Sequence, residues 1–258
     1  MDMVLIHKAS CKCFATTRND EGTVSVACLI SQSMLALFYV WIFVVTAWVP
    51  FVYWHWALYG VVNVYQLSLS LFGAINLLIC IWEMILFFHI STIVEKYQNK
   101  LKKLEKGELG TIFLFEHMDL STALKPITWT DVWATYSLVD ESYSKSTSFG
   151  WNIDIGNGFS TFVPTILVSF GMTLQHELFS PKTLGLLGAL SYYQELYGTV
   201  VYFTQYIVNK RWLKHNNSWT QILLLVVCSN IVWFVFPLLG LYLSTQLIFQ
   251  DSFDILVY

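Results

Sequence analysis

Glu195 stands in the middle of an otherwise uncharged apolar stretch, residues 184–207, and Glu83 stands just past the middle of another, residues 69–93. Each stretch is long enough to cross a bilayer, where an ionised carboxylate faces hydrocarbon unless it points into a protein-lined cavity. Desolvation favours the neutral form of a carboxylic acid, the form able to donate a proton, so two such acids suggest proton chemistry. Asn76 precedes Glu83 on the same stretch, and His89 follows it by an offset of six, which turns it well away on a regular helix. Asn230 and Trp233 lie one helical turn apart, and Asp154 stands between Trp151 and Gly156.

Each of these residues also has a plain structural reading. Glu83 could hydrogen-bond a neighbouring helix, and Tyr192 and Tyr193 could satisfy Glu195. Asn76 and Asn230 could be interhelical hydrogen bonds, each worth ~0.6 kcal/mol in membranes. Trp233 could be core or belt, His89 interfacial, and Asp154 the cap of a third span.

The elements that must position these groups are membrane helices. Hydrophobic residues make up 56% of the 258-residue chain and charged ones 12%, and the mean hydropathy is +0.57, well to the apolar side of a soluble domain. Five apolar runs, at 26–49, 69–93, 155–174, 184–207 and 221–246, are each too long for ~10-residue barrel strands, so they are read as helices. The expected fold is an all-α integral membrane bundle of five transmembrane helices around a central apolar cavity. Residues 1–25 form a cytoplasmic N-terminal segment, 26–247 the membrane domain with a polar loop at 95–150, and 248–258 a short tail. The aromatic segment 51–65 follows Pro50 and contains Gly60; Trp54, Trp56 and Tyr59 in it suggest an interfacial belt closing the first loop, with a half-span as the alternative.

Charge placement supports five crossings. Lys8, Lys12 and Arg18 precede the first span, seven lysines from Lys96 to Lys145 lie between the second and third, and Lys210, Arg211 and Lys214 follow the fourth. With five spans these segments share one face and leave only Lys182 opposite, so the positive-inside rule puts the N-terminus in the cytoplasm and the C-terminus in the lumen. The first apolar run is about twice the length of a signal-peptide core and lacks a small-residue cleavage site, so it is expected to stay as a span. The lysine-rich helical extension after the second span, ending at Gly107 or Gly110, reads as a solvated face near anionic headgroups. Cys28, Cys80 and Cys228 fall in spans, and Cys11 and Cys13 read as reduced cytosolic thiols, with acylation or metal binding as the alternative. Asn216 begins a glycosylation sequon on the face where it would go unused. No repeat, P-loop, dinucleotide fingerprint, nucleophile elbow or metal-spaced His/Cys cluster is present, so neither cofactor nor metal is called for.

The second half carries three ordered motifs. Trp133-x-x-Tyr136-x-x-x-Asp140-x-x-Tyr143 precedes the third span, Tyr197-Gly198-x-Val200-x-Tyr202-Phe203 lies in the fourth, and Asn230-x-x-Trp233-x-Val235-x-Pro237 in the fifth. Together, over about half the chain, they resemble the emopamil-binding family, the membrane fold of sterol Δ8–Δ7 isomerases and sigma-2-type sterol-binding proteins. The resemblance implies that an acid protonates a sterol alkene, that aromatic and amide side chains hold the carbocation, and that a second group removes a neighbouring proton. On that reading Glu83 stands at the family's second-span Glu, and Trp233, Asn230, Tyr197 and Asn76 line the substrate pocket. The chain departs from the family where a His four residues before that Glu becomes Ile79 and a third-span Glu before Thr-Ile becomes Pro164; Glu195 in turn replaces a neutral Gln.

Three functions are therefore carried forward. The first is an isomerase or cyclase that protonates an alkene or epoxide of a sterol-like or terpenoid substrate, with Glu83 and Glu195 catalytic and Asp154, His89 and Asp140 as further candidates. The second is a non-catalytic sterol or lipid binder, and the third a structural or trafficking partner. The expected partners are an apolar sterol or isoprenoid and membrane lipids, without nucleic acid, and a homodimer stays open. Endoplasmic reticulum residence follows from the resemblance.

Overall fold

The computed structural model describes residues 33–108, 112–213 and 219–258. The segment 1–25, the start of the expected first span, Cys11, Cys13, Cys28, Lys8, Lys12, Arg18, Lys214 and the sequon at Asn216 lie outside the described residues. The fold is all-α apart from one pair of two-residue strands. β1 (Met34–Leu35) pairs antiparallel with β2 (His117–Met118), which ties the start of the first helix to the polar loop.

α1 runs from Ala36 to Tyr59 and passes straight through Pro50. The segment beginning at Phe51 is thus not a loop belt: its first nine residues are the last turns of the span, with Tyr53, Trp54 and Trp56 exposed on them. A proline removes a single N–H, whereas ending a helix in an apolar medium frees several backbone groups at once, so continuing is the cheaper course. The helix stops instead at Gly60, whose φ of 72° is the left-handed cap conformation that lacks a penalty only for glycine. Asn63 then caps α2 (Val64–Phe88), accepting from the N–H groups of Tyr65 and Gln66 at 2.9 and 3.2 Å.

At His89 the backbone leaves helical geometry, and α3 (Ile90–Glu105) carries the lysines away, ending at Lys106 with Gly107 in the left-handed region. The polar loop holds two short helices, α4 (Leu120–Ala123), capped by Asp119, and α5 (Thr130–Tyr136). Lys96 and Lys100 reach Asp131 at 2.5 and 3.4 Å and fix α5 to α3. α6 (Phe149–Leu174) is capped by Ser148, not by Asp154 as the sequence suggested, because the helix begins more than a turn earlier than its apolar run. α7 (Pro181–Val208) follows, capped by Ser180; α8 (Trp219–Ile222) leads through a π-helical segment, Leu223–Cys228, into α9 (Ser229–Gln250), and α10 (Asp254–Val257) closes the chain.

Four helical stretches among the described residues are long and apolar enough to cross a membrane: 36–59, 64–88, 149–177 and 223–250. α7, expected as the fourth of five spans, has 28 residues but is not one of the four, since its Gly, Tyr and Gln residues and Glu195 dilute its hydropathy.

Two seams hold the bundle together. Along α2 and α6, which run antiparallel, Gln66 meets Thr173 at 3.4 Å, Asn76 meets Thr165 at 3.0 Å and Cys80 meets Thr161 at 3.3 Å. A Cβ on Gly158 would sit 2.7 Å from that of Glu83, so the two backbones are as close there as glycine permits. In lipid there is no hydrophobic drive between helices, and small residues with interhelical hydrogen bonds supply the attraction. α7 and α9 meet the same way: Gly188 lies against Ser244, and Gly240 receives the ring of Tyr192.

The bundle has one basic end. The Asp140–Arg211 ion pair ties the polar loop to the end of α7, and this end also takes the lysines of α3. At the opposite end His55 Nε2 donates to the Leu256 carbonyl at 3.0 Å, Asn63 donates to that of Ile255 at 2.9 Å, and Lys182 pairs with Asp251 at 2.7 Å.

Candidate functional site

A cavity of about 210 Å³ lies toward the basic end, walled by α2, α5, α6, α7 and the start of α9, with residues 112–114 and Tyr143 completing it. Its surface is chiefly apolar and rich in aromatic rings: Trp82, Trp133, Tyr136, Tyr143, Tyr202 and Trp233 all contribute. Most of their polar atoms are engaged with protein. Trp133 Nε1 donates to the Trp82 carbonyl at 2.7 Å, the hydroxyls of Tyr136 and Tyr202 lie 2.7 Å apart, and Asn230 Nδ2 donates to Tyr136 at 3.0 Å. Burial pushes the phenols of Tyr136 and Tyr143 well above their ordinary range, so in the loop they stay neutral hydroxyl groups. Their rings give the cavity polarizable walls without adding charge.

The charge in the cavity wall comes from two carboxyl groups. Glu83, on the inner face of α2, is 5% exposed, and its carboxyl accepts no hydrogen bond from another described residue. Asp154 projects from α6 one turn beyond Gly158, the residue that abuts Glu83, and Tyr143 lines the same cavity. Among the described residues no group of three or more His, Cys, Asp or Glu is placed to share a metal ion.

The residues singled out from the sequence divide into three sets. Glu83, Asp154, Asn230 and Trp233 line this cavity together, as does Ile79. Asn76 and Glu195 lie behind the wall: Trp233 Nε1 donates to Asn76 Oδ1 at 3.0 Å, and Asn76 Nδ2 donates to Glu195 Oε1 at 2.8 Å. The expected convergence of Glu83 with Glu195 in one cavity is corrected accordingly, because Glu195 faces the α2–α6 seam and the second acid in the wall is Asp154. Tyr192 and Tyr193 are not what hold Glu195; Asn76 is.

Tyr197, His89 and Asp140 stand elsewhere. Tyr197 is 56% exposed and stacks on Tyr193, since the inward positions of α7 are Glu195, Gly198, Thr199 and Tyr202, and residue 197 falls on the other side of the helix. His89 marks the joint between α2 and α3. Asp140 is buried, with Arg211 Nη1 at 2.7 and 2.6 Å and the Ser142 N–H at 3.0 Å, and its role is to fasten the loop.

Sequence reasoning left out Trp82, the phenols of the loop motif as cavity walls, and Arg211 as the partner of Asp140. The motif did announce Trp133, Tyr136 and Tyr143, whose rings pack on one another, whereas nothing in the sequence distinguished Arg211 from the neighbouring Lys210. No protein-family model, curated protein or solved structure matches the chain.

Proposed function

We propose that this chain is an integral membrane isomerase or cyclase that protonates an alkene or epoxide of an apolar sterol-like or terpenoid substrate and directs the resulting carbocation. The observation that carries this reading is that Glu83 and Asp154 share one aromatic-walled cavity. An aromatic face stabilises a cation without competing for its protons, and it does so best where water is excluded.

Glu83 is the donor in this scheme. Its proton forms a new C–H bond with the electron pair of the alkene, leaving a cation on the neighbouring carbon beside Trp233 and the loop tyrosines. Asp154 then takes a proton from the adjoining carbon, and the electrons of that C–H bond become the shifted double bond. Asp154 suits the acceptor role because it lines the same cavity as Glu83, one helical turn along α6 from the glycine that abuts Glu83. Between turnovers the proton returns from Asp154 to Glu83. A cavity of 210 Å³ lies below the ~300–1,000 Å³ of typical ligand pockets, so it encloses the reacting end of a polycycle or isoprenoid and leaves the remainder against the membrane-facing surface.

The sterol-isomerase likeness of the loop, fourth-span and fifth-span motifs supports this chemistry and suggests residence in the endoplasmic reticulum. With α7 as a fifth crossing around the cavity, the segments carrying thirteen of the fourteen Lys and Arg residues share the cytoplasmic face, and the C-terminus is lumenal.

The test uses the full chain in phosphatidylcholine nanodiscs in heavy water, supplied with a Δ8-sterol, a linear isoprenoid alkene or its terminal epoxide. Deuterium in a carbon position of the product supports the reading. Glu83→Gln should abolish incorporation while retaining binding, and Asp154→Asn should slow it by at least ~100-fold, the low end for losing a general acid–base group. Binding of the same compounds by the unaltered chain, with neither deuterium incorporation into the alkenes nor ring-opening or cyclisation of the epoxide, would instead establish the sterol- or lipid-binding reading.

A further inference from the structure

We propose that Glu195 is a positioning residue which, through Asn76, fixes the indole of Trp233 at the cavity wall. The proposal rests on reading that cavity as a site that steers a cation. It assigns Glu195 no proton transfer.

The logic lies in which atoms can donate. An indole N–H can only donate, so Trp233 requires the oxygen of the Asn76 amide, 3.0 Å away, and not its NH2. The two ends of an amide have almost the same shape, and what decides between them is the partner on the far side. Thr165 Oγ1, 3.0 Å from Asn76 Nδ2, can donate or accept and so decides nothing. Glu195 Oε1, at 2.8 Å, does decide: it accepts from Asn76 Nδ2 when the carboxyl is ionised and equally, as the carbonyl oxygen, when the proton sits on Oε2. With the NH2 held by Glu195, the amide oxygen must face Trp233.

The setting of Glu195 fits this role and no contact with substrate. The residue is 3% exposed, and Oε2 has no hydrogen-bond partner among the described residues. The space beside it, between Thr165, Ser169, Ser191 and the ring of Tyr192, is about 10 Å³, room for no more than one water-sized group. A carboxyl placed so deep, with one oxygen unmatched, is a poor packing choice where a leucine would serve, which argues that its single strong hydrogen bond is what it is there for. Besides that relay, Trp233 is held by an edge contact with Phe72, ring centroids 6.0 Å apart. Without the relay the indole keeps only its packing against Phe72 and the surrounding cluster, which does not fix the direction of its N–H, and cation–π attraction depends on which part of the ring is offered.

Glu195→Gln and Glu195→Asp separate positioning from acid catalysis. Gln keeps an acceptor oxygen at the same reach but cannot transfer the proton; Asp keeps the acid but falls one methylene short of Asn76. Both variants, as full chains in phosphatidylcholine nanodiscs, are read by the hydrogen-bond-sensitive indole band of ultraviolet resonance Raman spectra, with Trp233→Phe subtracted to isolate Trp233, and by deuterium incorporation into the alkenes above. The expected result is that Glu195→Gln keeps the Trp233 signature and turnover within a few-fold of the unaltered chain, while Glu195→Asp loses the signature and slows kcat by ~10- to 100-fold, the scale of an ångström-sized misplacement. The reverse order, or an unchanged Trp233 signature in Glu195→Asp, overturns the proposal. If the unaltered chain turns over none of the alkenes, the isomerase reading falls by itself, and the Trp233 signature still decides whether Glu195 positions the indole.

Discussion

Arg211→Met should cost about 3 kcal/mol of stability and detach the polar loop from the cavity. Asp140 has no exposed side-chain surface, Arg211 only 11%, and the two meet at 2.6 Å. Removing one partner of a buried pair strands the other as an uncompensated charge, at ~3–5 kcal/mol. The lower end applies here for two reasons. A single guanidinium nitrogen serves both carboxylate oxygens, so the paired fork geometry that gives the strongest bonds is not used. Asp140 also keeps the Ser142 N–H at 3.0 Å after the arginine is gone.

Adding Asp140→Asn should restore part of the loss, since the amide removes the stranded charge while still accepting from Ser142. Unfolding of the four members of this double-mutant cycle in nanodiscs measures the coupling. Because Tyr136 and Tyr143 flank Asp140 and line the cavity, Arg211→Met should weaken ligand binding as well, whereas exposed Lys210→Met, with the same change of charge, should not. A loss under ~1 kcal/mol in Arg211→Met, or a double variant costing the sum of the singles, would refute the claim that a buried pair fastens this loop.

Other outcomes follow from the same contacts. Gly158→Ala places a Cβ 2.7 Å from that of Glu83 and 3.2 Å from the Cys80 carbonyl, so it should force α2 from α6 at ~1–3 kcal/mol, while Gly156→Ala, with nothing within 4 Å, should be neutral or slightly stabilising; equal unfolding midpoints would contradict the seam. Gly240→Ala meets the Tyr192 ring at 2.4–2.5 Å and should destabilise the α7–α9 pair by a similar amount in the same assay. Tyr136 and Tyr143 should stay silent in an ultraviolet titration through the ordinary tyrosine range near ~10. The unfolded chain loses those protons first, so their contribution is complete below about pH 10 and falls as pH rises toward the folded values; ordinary titration of both phenols would place them in water.

The helices were legible from hydropathy, but their ends were not. Pro50 looked like a terminator, yet an apolar surrounding favours continuing the helix to Gly60, where the left-handed turn is available without strain. Ser148 and Asn63 are ordinary capping residues, and each lies several residues outside the apolar run that marked its helix, because a run marks only the lipid-depth part of a longer helix. The seam on α6 was present in the spacing Gly158, Thr161, Thr165, Ser169, Thr173, small residues returning every three or four positions. Hydropathy does not register that pattern, since hydroxyl and methyl groups of similar size count oppositely there while packing alike between helices.

That seam decides which acid lines the cavity with Glu83. From the sequence, Glu83 and Glu195 are equivalent, both carboxyls near mid-span, and Asp154 looks like a cap. The pairing of Asn76 with Thr165, Cys80 with Thr161 and Glu83 with Gly158 sets the antiparallel register of α2 and α6, and one more turn along α6 brings Asp154 to the cavity. The same register puts Thr165, and Glu195 with it, about two turns back along the bundle from Glu83, at the level of Asn76. Glu195 is not among the residues that line the cavity, and the contact that connects it to the cavity wall is the Asn76 amide, which in turn holds Trp233. Interhelical register, which a single sequence does not encode in any one residue, therefore separates the acids that line the cavity from the one that lies behind its wall against Asn76.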